Sequence, residues 1–179
     1  MKKTILVWDS LVRVFHWSLV LAFVIALVTS EDMEKLHIKV GYIIFGLVCF
    51  RLVWGFVGPH YARFSQFIKS PATIFSYFKD VRAKREKRYI GHNPAGGAMI
   101  IIMILGLFAI SVTGWMSTID MFKGADWVEE AHEICTFIFL FAIIAHVSGV
   151  IIESIRHKEN LVIAMISGYK KSPSKKDIV

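Results

Sequence analysis

The sequence has few cysteines and few charged residues, and each scarcity narrows the class of protein. Two cysteines among 179 residues, Cys49 and Cys135, cannot build a disulfide framework. Charged residues make up only 20% of the chain and hydrophobic residues 55%, whereas soluble domains average roughly a quarter charged and about 45–50% apolar. A disordered chain would combine low hydrophobicity with high net charge. The composition therefore leaves a large soluble core or a membrane protein.

Charges are missing from four long stretches of the chain. Residues 14–30, 89–119 and 134–152 contain none, and residues 40–61 contain only Arg51. A membrane span needs roughly 20 predominantly apolar residues to cross about 30 Å of hydrocarbon. The pattern predicts an all-α membrane protein, a four-helix bundle in a single domain over 1–179, with spans at about 12–30, 38–58, 95–118 and 132–153.

The charges between the spans are distributed unevenly. The segments 58–95 and 155–179 carry eight and six basic residues and two acidic residues each, whereas 31–35 and 120–130 carry three and four acids and one base each. Lys and Arg close to spans are held on the cytoplasmic side. We therefore expect both termini in the cytoplasm. The net charge of +7 then reflects the orientation of the spans in the membrane. No nucleic-acid partner is expected.

The cytoplasmic segment 59–94 contains the pattern of a short helix lying in the membrane interface. Ser70 is a suitable N-cap, Pro71 suits the first helical position, and aromatic residues then precede a run of bases. Aromatic side chains in lipid and bases at the headgroups are typical of interfacial helices. The tail segment Leu161–Ile166, ending at Gly168, predicts a second one. An ordinary solvated loop remains the alternative for the first segment.

Four histidines stand in or beside the spans at two predicted depths. His16 lies at the inner end of span 1, His37 at the outer end of span 2 and His132 at the outer end of span 4. His146 follows His132 by 14 residues, which gives about 21 Å of helical rise and returns to within about 40° of the same face. The depths predict two pairs, His16 with His146 and His37 with His132. The alternative for each is a hydrogen-bonded packing residue.

Opposed imidazoles inside a helical bundle suit the iron of a haem, whose flat ring fills the gap between helices. The chain has no Cys-x-x-Cys-His run for covalent attachment, so the haems would be of b type. A zinc site needs three or four converging ligands, which two separated pairs do not supply. His132-Glu133 begins like a zinc-protease motif, but Thr136 stands where the second histidine is required.

Two arginines are candidates for binding the anionic haem propionates. Arg51 lies 14 residues after His37, at the inner depth on nearly the same face of span 2. Arg13 precedes His16 by three residues. An arginine inside a span needs a partner, and its planar fork suits a carboxylate. Snorkelling to the inner headgroups is the alternative for Arg51.

Several segments resemble the prokaryotic di-haem cytochrome b561 family, which includes the b-type subunits of membrane-bound nickel-iron hydrogenases. They are VWDSLVRVFHW at 7–17, RLVWGFVG at 51–58, YARF at 61–64, GHNPAGG at 91–97 and MISGYK at 165–170. The resemblance implies a four-helix bundle of the bacterial inner membrane with two b haems. It also implies that the ligands are His16, His37, His132 and His146.

The family resemblance implies electron transfer between the quinone pool and a periplasmic hydrogenase, dehydrogenase or c-type cytochrome. It leaves open whether the chain is itself a quinone oxidoreductase, and aromatic-rich spans would permit a homodimer. His92 is a candidate proton-transfer or propionate residue, whereas His60 and His157 are expected to be interfacial or solvated. A histidine-lined metal-ion or proton transporter is the alternative function. The absence of Asp and Glu from the four runs counts against it.

Overall fold

Four long helices dominate the computed structural model, which describes residues 4–175 and 177–178. The elements in chain order are β1 (Thr4–Leu6), α1 (Ser10–Val28), α2 (Glu34–Val57), a 3-10 turn (His60–Ala62), α3 (Phe64–Phe67), α4 (Pro71–Arg82), α5 (Pro94–Thr118), α6 (Asp126–Arg156), α7 (Leu161–Ser167) and β2 (Tyr169–Lys171). Helices α1, α2, α5 and α6 are long and apolar enough to cross a membrane. The predicted all-α membrane fold with four spanning helices is confirmed.

The long helices expose apolar side chains, as helices in contact with lipid do. Only 6% of the most apolar window of α6 is buried inside the protein. Helix α6 begins at Asp126, six residues before the predicted span. The carboxylates of Asp126 and Glu129 stabilise its first turn, because negative charges interact favourably with the positive end of the helix dipole. At α1, the Asp9 carboxylate accepts hydrogen bonds from the first free backbone N–H groups.

The two short helices predicted from capping residues are confirmed as helices. The Ser70 hydroxyl accepts a hydrogen bond from the Thr73 N–H at the start of α4. The Asn160 side chain does the same for α7, which ends at Gly168 with φ of 88°, a conformation that favours glycine. On α4, Phe75 is 69% exposed. Their location in the membrane interface stays a prediction.

The chain contacts group into two compact units. The first, called here the bundle unit, comprises Val14–Leu52 and Ile102–Ile143 and so contains parts of all four long helices. Aromatic side chains join these helices in pairs: Phe23 meets Phe139 with ring centroids 5.2 Å apart, and Phe45 meets Phe108 at 6.2 Å. The bundle unit therefore has its own helix-to-helix packing. The single domain over 1–179 stays a prediction.

The second unit, called here the terminal unit, brings together the described residues up to Arg13, Val53–Ile101 and the chain from Ile144 onward. Strand β1 pairs antiparallel with β2, so that Thr4 lies opposite Lys171. A small core of Val7, Trp8, Ile90 and Ala164 lies beside this pair. Ile178 accepts a backbone hydrogen bond from Ile90 and donates one to Arg88. Within the described residues, the N-terminal segment and the tail thus contact each other and the segment around Ile90.

A buried ionic network, called here the Arg88 cluster, holds the tail. The Arg88 guanidinium donates to the Glu159 carboxylate at 2.9 Å and to the Asp177 carboxylate at 2.7 Å. It also donates to the Lys171 carbonyl at 2.8 Å. The Arg88 side chain is 13% exposed, so its charge is matched by two carboxylates away from bulk water.

Candidate cofactor site

The predicted outer histidine pair meets inside the bundle unit. His37 on α2 and His132 on α6 are half-buried, with ring centroids 6.1 Å apart and ring planes at 80°. Metal–imidazole nitrogen bonds are about 2 Å long, so two ligands on opposite sides of one ion hold their nitrogens about 4 Å apart and their ring centres about 6 Å apart. The observed separation fits one iron between the two rings.

Both rings carry the hydrogen bond that prepares a histidine to bind a metal. The Nδ1 atom of His37 lies 2.8 Å from the Ala26 carbonyl oxygen, and that of His132 lies 3.0 Å from the Ile110 carbonyl oxygen. A carbonyl oxygen only accepts, so each Nδ1 carries the proton and each Nε2 keeps its lone pair. Metal-ligating histidines typically show this arrangement.

A cavity of about 540 Å³ lies between these helices, and both histidines line it. Its volume falls within the usual range of about 300–1,000 Å³ for ligand sites. Gly41, one turn after His37, also lines the cavity, and a Cβ added there would meet nothing within 4 Å. Apolar walls, a glycine surface and two imidazoles with ring centroids 6.1 Å apart suit a flat porphyrin. The donor set fits a bis-histidine haem.

The predicted inner pair lies on helices α1 and α6. His16 is half-buried in the bundle unit, where its ring meets the edge of Trp17 with centroids 4.9 Å apart. His146 is half-buried in the part of α6 that belongs to the terminal unit. Their pairing stays a prediction.

The two candidate propionate-binding arginines have different surroundings. Arg51 is 4% exposed, which is inconsistent with snorkelling, because a snorkelling side chain holds its guanidinium in water. Arg13 donates from Nη1 to the Ile166 carbonyl at 2.6 Å and so caps the end of α7. That hydrogen bond gives Arg13 a structural role that the sequence did not suggest. Propionate binding by either residue stays a prediction.

The three other candidate histidines lie in the terminal unit. His60 is exposed, as expected, whereas His92 sits among Trp8 and Phe67 with ring centroids 4.5 and 4.9 Å away. The expectation that His157 is interfacial or solvated stays a prediction. Its side chain is only 18% exposed, and its Nε2 lies 3.3 Å from the Glu153 carboxylate one helical turn earlier.

The structure adds residues that the sequence analysis did not place at this site. Thr113 and Gly114 of α5 both contact the His132 ring. No sequence signal identifies them, because α5 contains no histidine and its register against α6 cannot be read from either helix alone. In the part of the chain that the structure describes, no group of three or more His, Cys, Asp or Glu could hold a metal ion.

The chain is similar to known proteins over most of its length. The family model described as prokaryotic cytochrome b561 matches residues 7–168. The chain is 25% identical to the probable Ni/Fe-hydrogenase B-type cytochrome subunit of Azotobacter vinelandii, over 94% of this chain and 89% of that protein. It is 27% identical to the Rhodobacter capsulatus protein of that name, over 94% of this chain and 82% of that protein. It is 24% identical to the probable Ni/Fe-hydrogenase 1 B-type cytochrome subunit of Escherichia coli K12, over 92% of this chain and 89% of that protein.

The first of these alignments covers 214 positions, more than the 179 residues of this chain, so that relative carries insertions. No solved structure matches the chain. The matched residues 7–168 include all four spanning helices. They also include the four candidate ligands, His16, His37, His132 and His146. The chain therefore belongs to the prokaryotic cytochrome b561 family, and it is accordingly a multi-pass, haem b-binding electron-transfer protein of the bacterial inner membrane.

Proposed function

We propose that the chain carries electrons across the membrane between two bis-histidine b haems. His37 and His132 would hold the outer haem, and His16 and His146 the inner one. The observation that carries this proposal is the outer pair. Its ring centroids are 6.1 Å apart, and both Nδ1 atoms lie within hydrogen-bond distance of carbonyl oxygens. When bound, each haem supplies a one-electron ferric–ferrous couple.

The chain's residues would provide position and insulation for this transfer. Two histidine ligands leave no open iron position, so the site favours electron transfer over substrate binding. Apolar side chains around the cavity exclude water. On α6, the 14 residues from His132 to His146 correspond to about 21 Å of rise, which distributes the two pairs across most of the hydrocarbon.

The charge distribution supports an orientation for this path. The basic segments 58–95 and 155–179 would lie in the cytoplasm together with both termini, and the acidic connectors would face the periplasm. Helices α4 and α7 would then lie in the interface of the cytoplasmic leaflet. The outer histidine pair would be the one nearer to a periplasmic partner.

The relatives suggest the partner. Their names describe B-type cytochrome subunits of Ni/Fe-hydrogenases, and the alignments span most of both chains. We infer that a periplasmic hydrogenase is the first candidate, with a dehydrogenase or c-type cytochrome as the others. Quinone or quinol would exchange electrons on the other side. Two copies of the chain would associate through their exposed apolar helices if the protein is a homodimer.

The test is an absorption spectrum of the detergent-purified protein before and after dithionite reduction. We expect the sharp reduced bands of bis-histidine haem b and two haems per chain by pyridine haemochrome assay. H37A should remove the outer haem and spare the inner one, and H146A should do the reverse. The matched control is H60A, which removes an exposed histidine outside the spanning helices and should keep both haems.

Two results would contradict the proposal. A colourless protein isolated from haem-replete cells would exclude electron transfer through haem and favour the histidine-lined transporter. If H146A retained both haems, the ligand assignment of the inner pair would be wrong even though the protein binds haem.

A further inference from the structure

We propose that Thr113 and Gly114 are positioning residues that hold the His132 imidazole at right angles to that of His37 and thereby tune the outer haem. This inference rests on the proposed function, because it assigns His37 and His132 to one iron. It gives α5, the long helix without a histidine ligand, a role in the electronic properties of the site.

Thr113 fixes the His132 ring through its hydroxyl. The Thr113 Oγ1 lies 2.9 Å from the Ala109 carbonyl oxygen and 3.1 Å from the Ile110 carbonyl oxygen, to which its single proton can be donated. Its lone pairs are then available to accept from the His132 Nδ1–H at 3.1 Å. The Ile110 carbonyl oxygen lies 3.0 Å from the same Nδ1. Two acceptors on α5 therefore share one N–H and restrict rotation of the ring.

Gly114 sets how close the ring can approach α5. A Cβ at this position would lie 3.0 Å from Cε1 of His132 and 3.3 Å from its Nδ1. The ring is anchored by its hydrogen bonds, so it could not move away without breaking them. Alanine at 114 would therefore turn or displace the imidazole.

The partner ring is held independently by another helix. The Nδ1 of His37 lies 2.8 Å from the Ala26 carbonyl oxygen of α1. The two imidazoles thus take their orientations from α1 and α5, and the resulting angle between the ring planes is 80°. Each ring is held by its own hydrogen bond, so the angle between the ring planes is set by the backbone of α1 and α5.

Ring orientation and N–H hydrogen bonding both act on the metal. A histidine that donates its second N–H to an acceptor becomes a more basic ligand, which favours ferric over ferrous iron. The angle between two axial imidazoles controls the splitting of the iron d orbitals. Perpendicular planes give a low-spin ferric EPR spectrum dominated by one large-g feature, and near-parallel planes give a rhombic spectrum.

The experiment compares T113V and G114A with the wild-type protein by EPR and by potentiometric titration of each haem. We expect a large-g signal from the outer haem of the wild type. T113V should raise the outer midpoint potential, because the Nδ1–H loses an acceptor, and should leave the inner one unchanged. G114A should move or replace the large-g signal of the outer haem at unchanged haem content.

The chain supplies matched controls for both variants. Ser117 donates its hydroxyl to the Thr113 carbonyl of the same helix at 3.2 Å, so S117A removes a similar hydrogen bond without touching a ligand. G46A adds a methyl group where nothing lies within 4 Å. Both controls should keep the wild-type spectrum and potentials.

The outcomes separate this inference from the proposed function. Wild-type EPR and potentials in both T113V and G114A, at full haem content, would overturn it. If T113V lost the outer haem, T113S should restore the haem with the wild-type signal, and failure of T113S to do so would also overturn it. Absence of the outer haem from the wild-type protein would instead overturn the proposed function.

Discussion

A buried imidazole has two ring nitrogens to satisfy, and at the outer site the backbone satisfies one nitrogen of each ring. The Ala26 and Ile110 carbonyl oxygens lie within 3.0 Å of the Nδ1 atoms of His37 and His132. The Ala26 carbonyl belongs to the last turn of α1 and also accepts hydrogen bonds from Thr29. The Ile110 carbonyl belongs to the interior of α5 and also accepts from the Thr113 hydroxyl. The rings are therefore held by rigid elements, and their Nε2 atoms are directed by the same contacts that define the tautomer.

Packing at single glycines of the bundle unit leads to a stability prediction. A Cβ on Gly106 would lie 2.7 Å from Cδ2 of Phe139, a ring that is 3% exposed and also meets Phe23. We expect G106A to lower the free energy of unfolding by about 1–3 kcal/mol through overpacking. Thermal unfolding in detergent, followed by circular dichroism, measures the effect.

The same substitution at Gly46 is the control. No atom lies within 4 Å of a Cβ added there, and replacing a glycine in a helix interior by alanine typically gains about 0.5–1 kcal/mol. Equal melting temperatures for G106A and G46A would show that contact with Phe139 does not limit this position.

Residue chemistry explains which parts of the site could be predicted from the sequence. Histidines inside apolar runs are identifiable because an ionisable side chain there needs a function or a partner. Every residue has a backbone carbonyl group, so nothing in the sequence distinguishes the carbonyl groups of Ala26 and Ile110 as partners of the histidines. Thr113 and Gly114 become meaningful only when α5 is placed against α6.

Among the elements, the tail is held by a charge cluster whose members come from distant parts of the chain. Replacing Arg88 with methionine would leave Glu159 buried without its guanidinium partner. We expect R88M to destabilise the terminal unit by about 3–5 kcal/mol, as when one partner of a buried ion pair is removed. Faster hydrogen exchange at the backbone amides of β2 would report the loss.

Arg85 provides the matched control for this substitution. It also pairs with a carboxylate, that of Asp80 at 2.7 Å, but its side chain is 70% exposed. Exposed ion pairs contribute about 0–1 kcal/mol, so R85M should leave the exchange of β2 nearly unchanged. Similar exchange rates in R88M and R85M would contradict a stabilising role for the Arg88 cluster.

The Arg88 cluster should also make the terminal unit sensitive to acid. Burial alone would raise the pKa of Glu159, but hydrogen bonds from the Lys171 N–H and the Arg88 guanidinium lower the pKa on balance below its ordinary 4.5. The pKa of Asp177 is likewise lowered below 3.8, since hydrogen bonds from Ser174 and Arg88 outweigh burial. Each depressed pKa stabilises the folded state above the ordinary value of the group.

This stabilisation should be lost as the pH falls below about 4.5 and through the folded-state pKa values, because the unfolded chain then binds more protons than the folded one. Hydrogen exchange of β2, corrected for intrinsic rates, should accelerate over this range. Amides of the bundle unit are the internal reference. Constant protection of β2 down to pH 3 would contradict the prediction.

The elements differ in how far their sequences reveal them. Helices α4 and α7 were predictable because their signals are local. These signals are the N-caps Ser70 and Asn160, the glycine at the end of α7, Gly168, and the apolar residues within each helix. Strands β1 and β2 have three residues each, too short for an alternating pattern. Their pairing joins Thr4 to Lys171, and no local signal can indicate a partner so far away in sequence.

At the scale of the whole molecule, the charge asymmetry predicts the topology. Alkaline phosphatase fused after Met33 or after Gly124 should be active, because both acidic connectors would lie in the periplasm. Fusions after Arg85 or at the C-terminus should be inactive. Green fluorescent protein at the same positions should give the opposite pattern and serves as the control for expression. An active phosphatase at the C-terminus would contradict the proposed orientation.

The whole fold was largely predictable because a bilayer restricts spanning structures to a few kinds. Four long runs in which Arg51 is the only charged residue specify the spans, and the basic segments between them specify the orientation. Exposed backbone polar groups and charges are excluded from lipid. The predicted inner and outer depths of the histidines follow from those spans. The spans do not specify the contacts within the terminal unit. The charge rule places its connectors on one side of the membrane but does not determine how they fold.

The composition of the terminal unit implies an order of events during synthesis. The bundle unit contains no residue beyond Ile143. Strand β1 is synthesised early but pairs with β2, and Arg88 and Ile90 pair with Ile178, so these contacts form only after the later residues are made. At a translation rate of about 5–20 residues per second, the ribosome needs about 2–7 s more to supply that last segment. The outer histidine pair can therefore assemble in the membrane while the amino-terminal strand is still unpaired. Pairing of β1 with β2 therefore follows synthesis of every residue that forms the bundle unit.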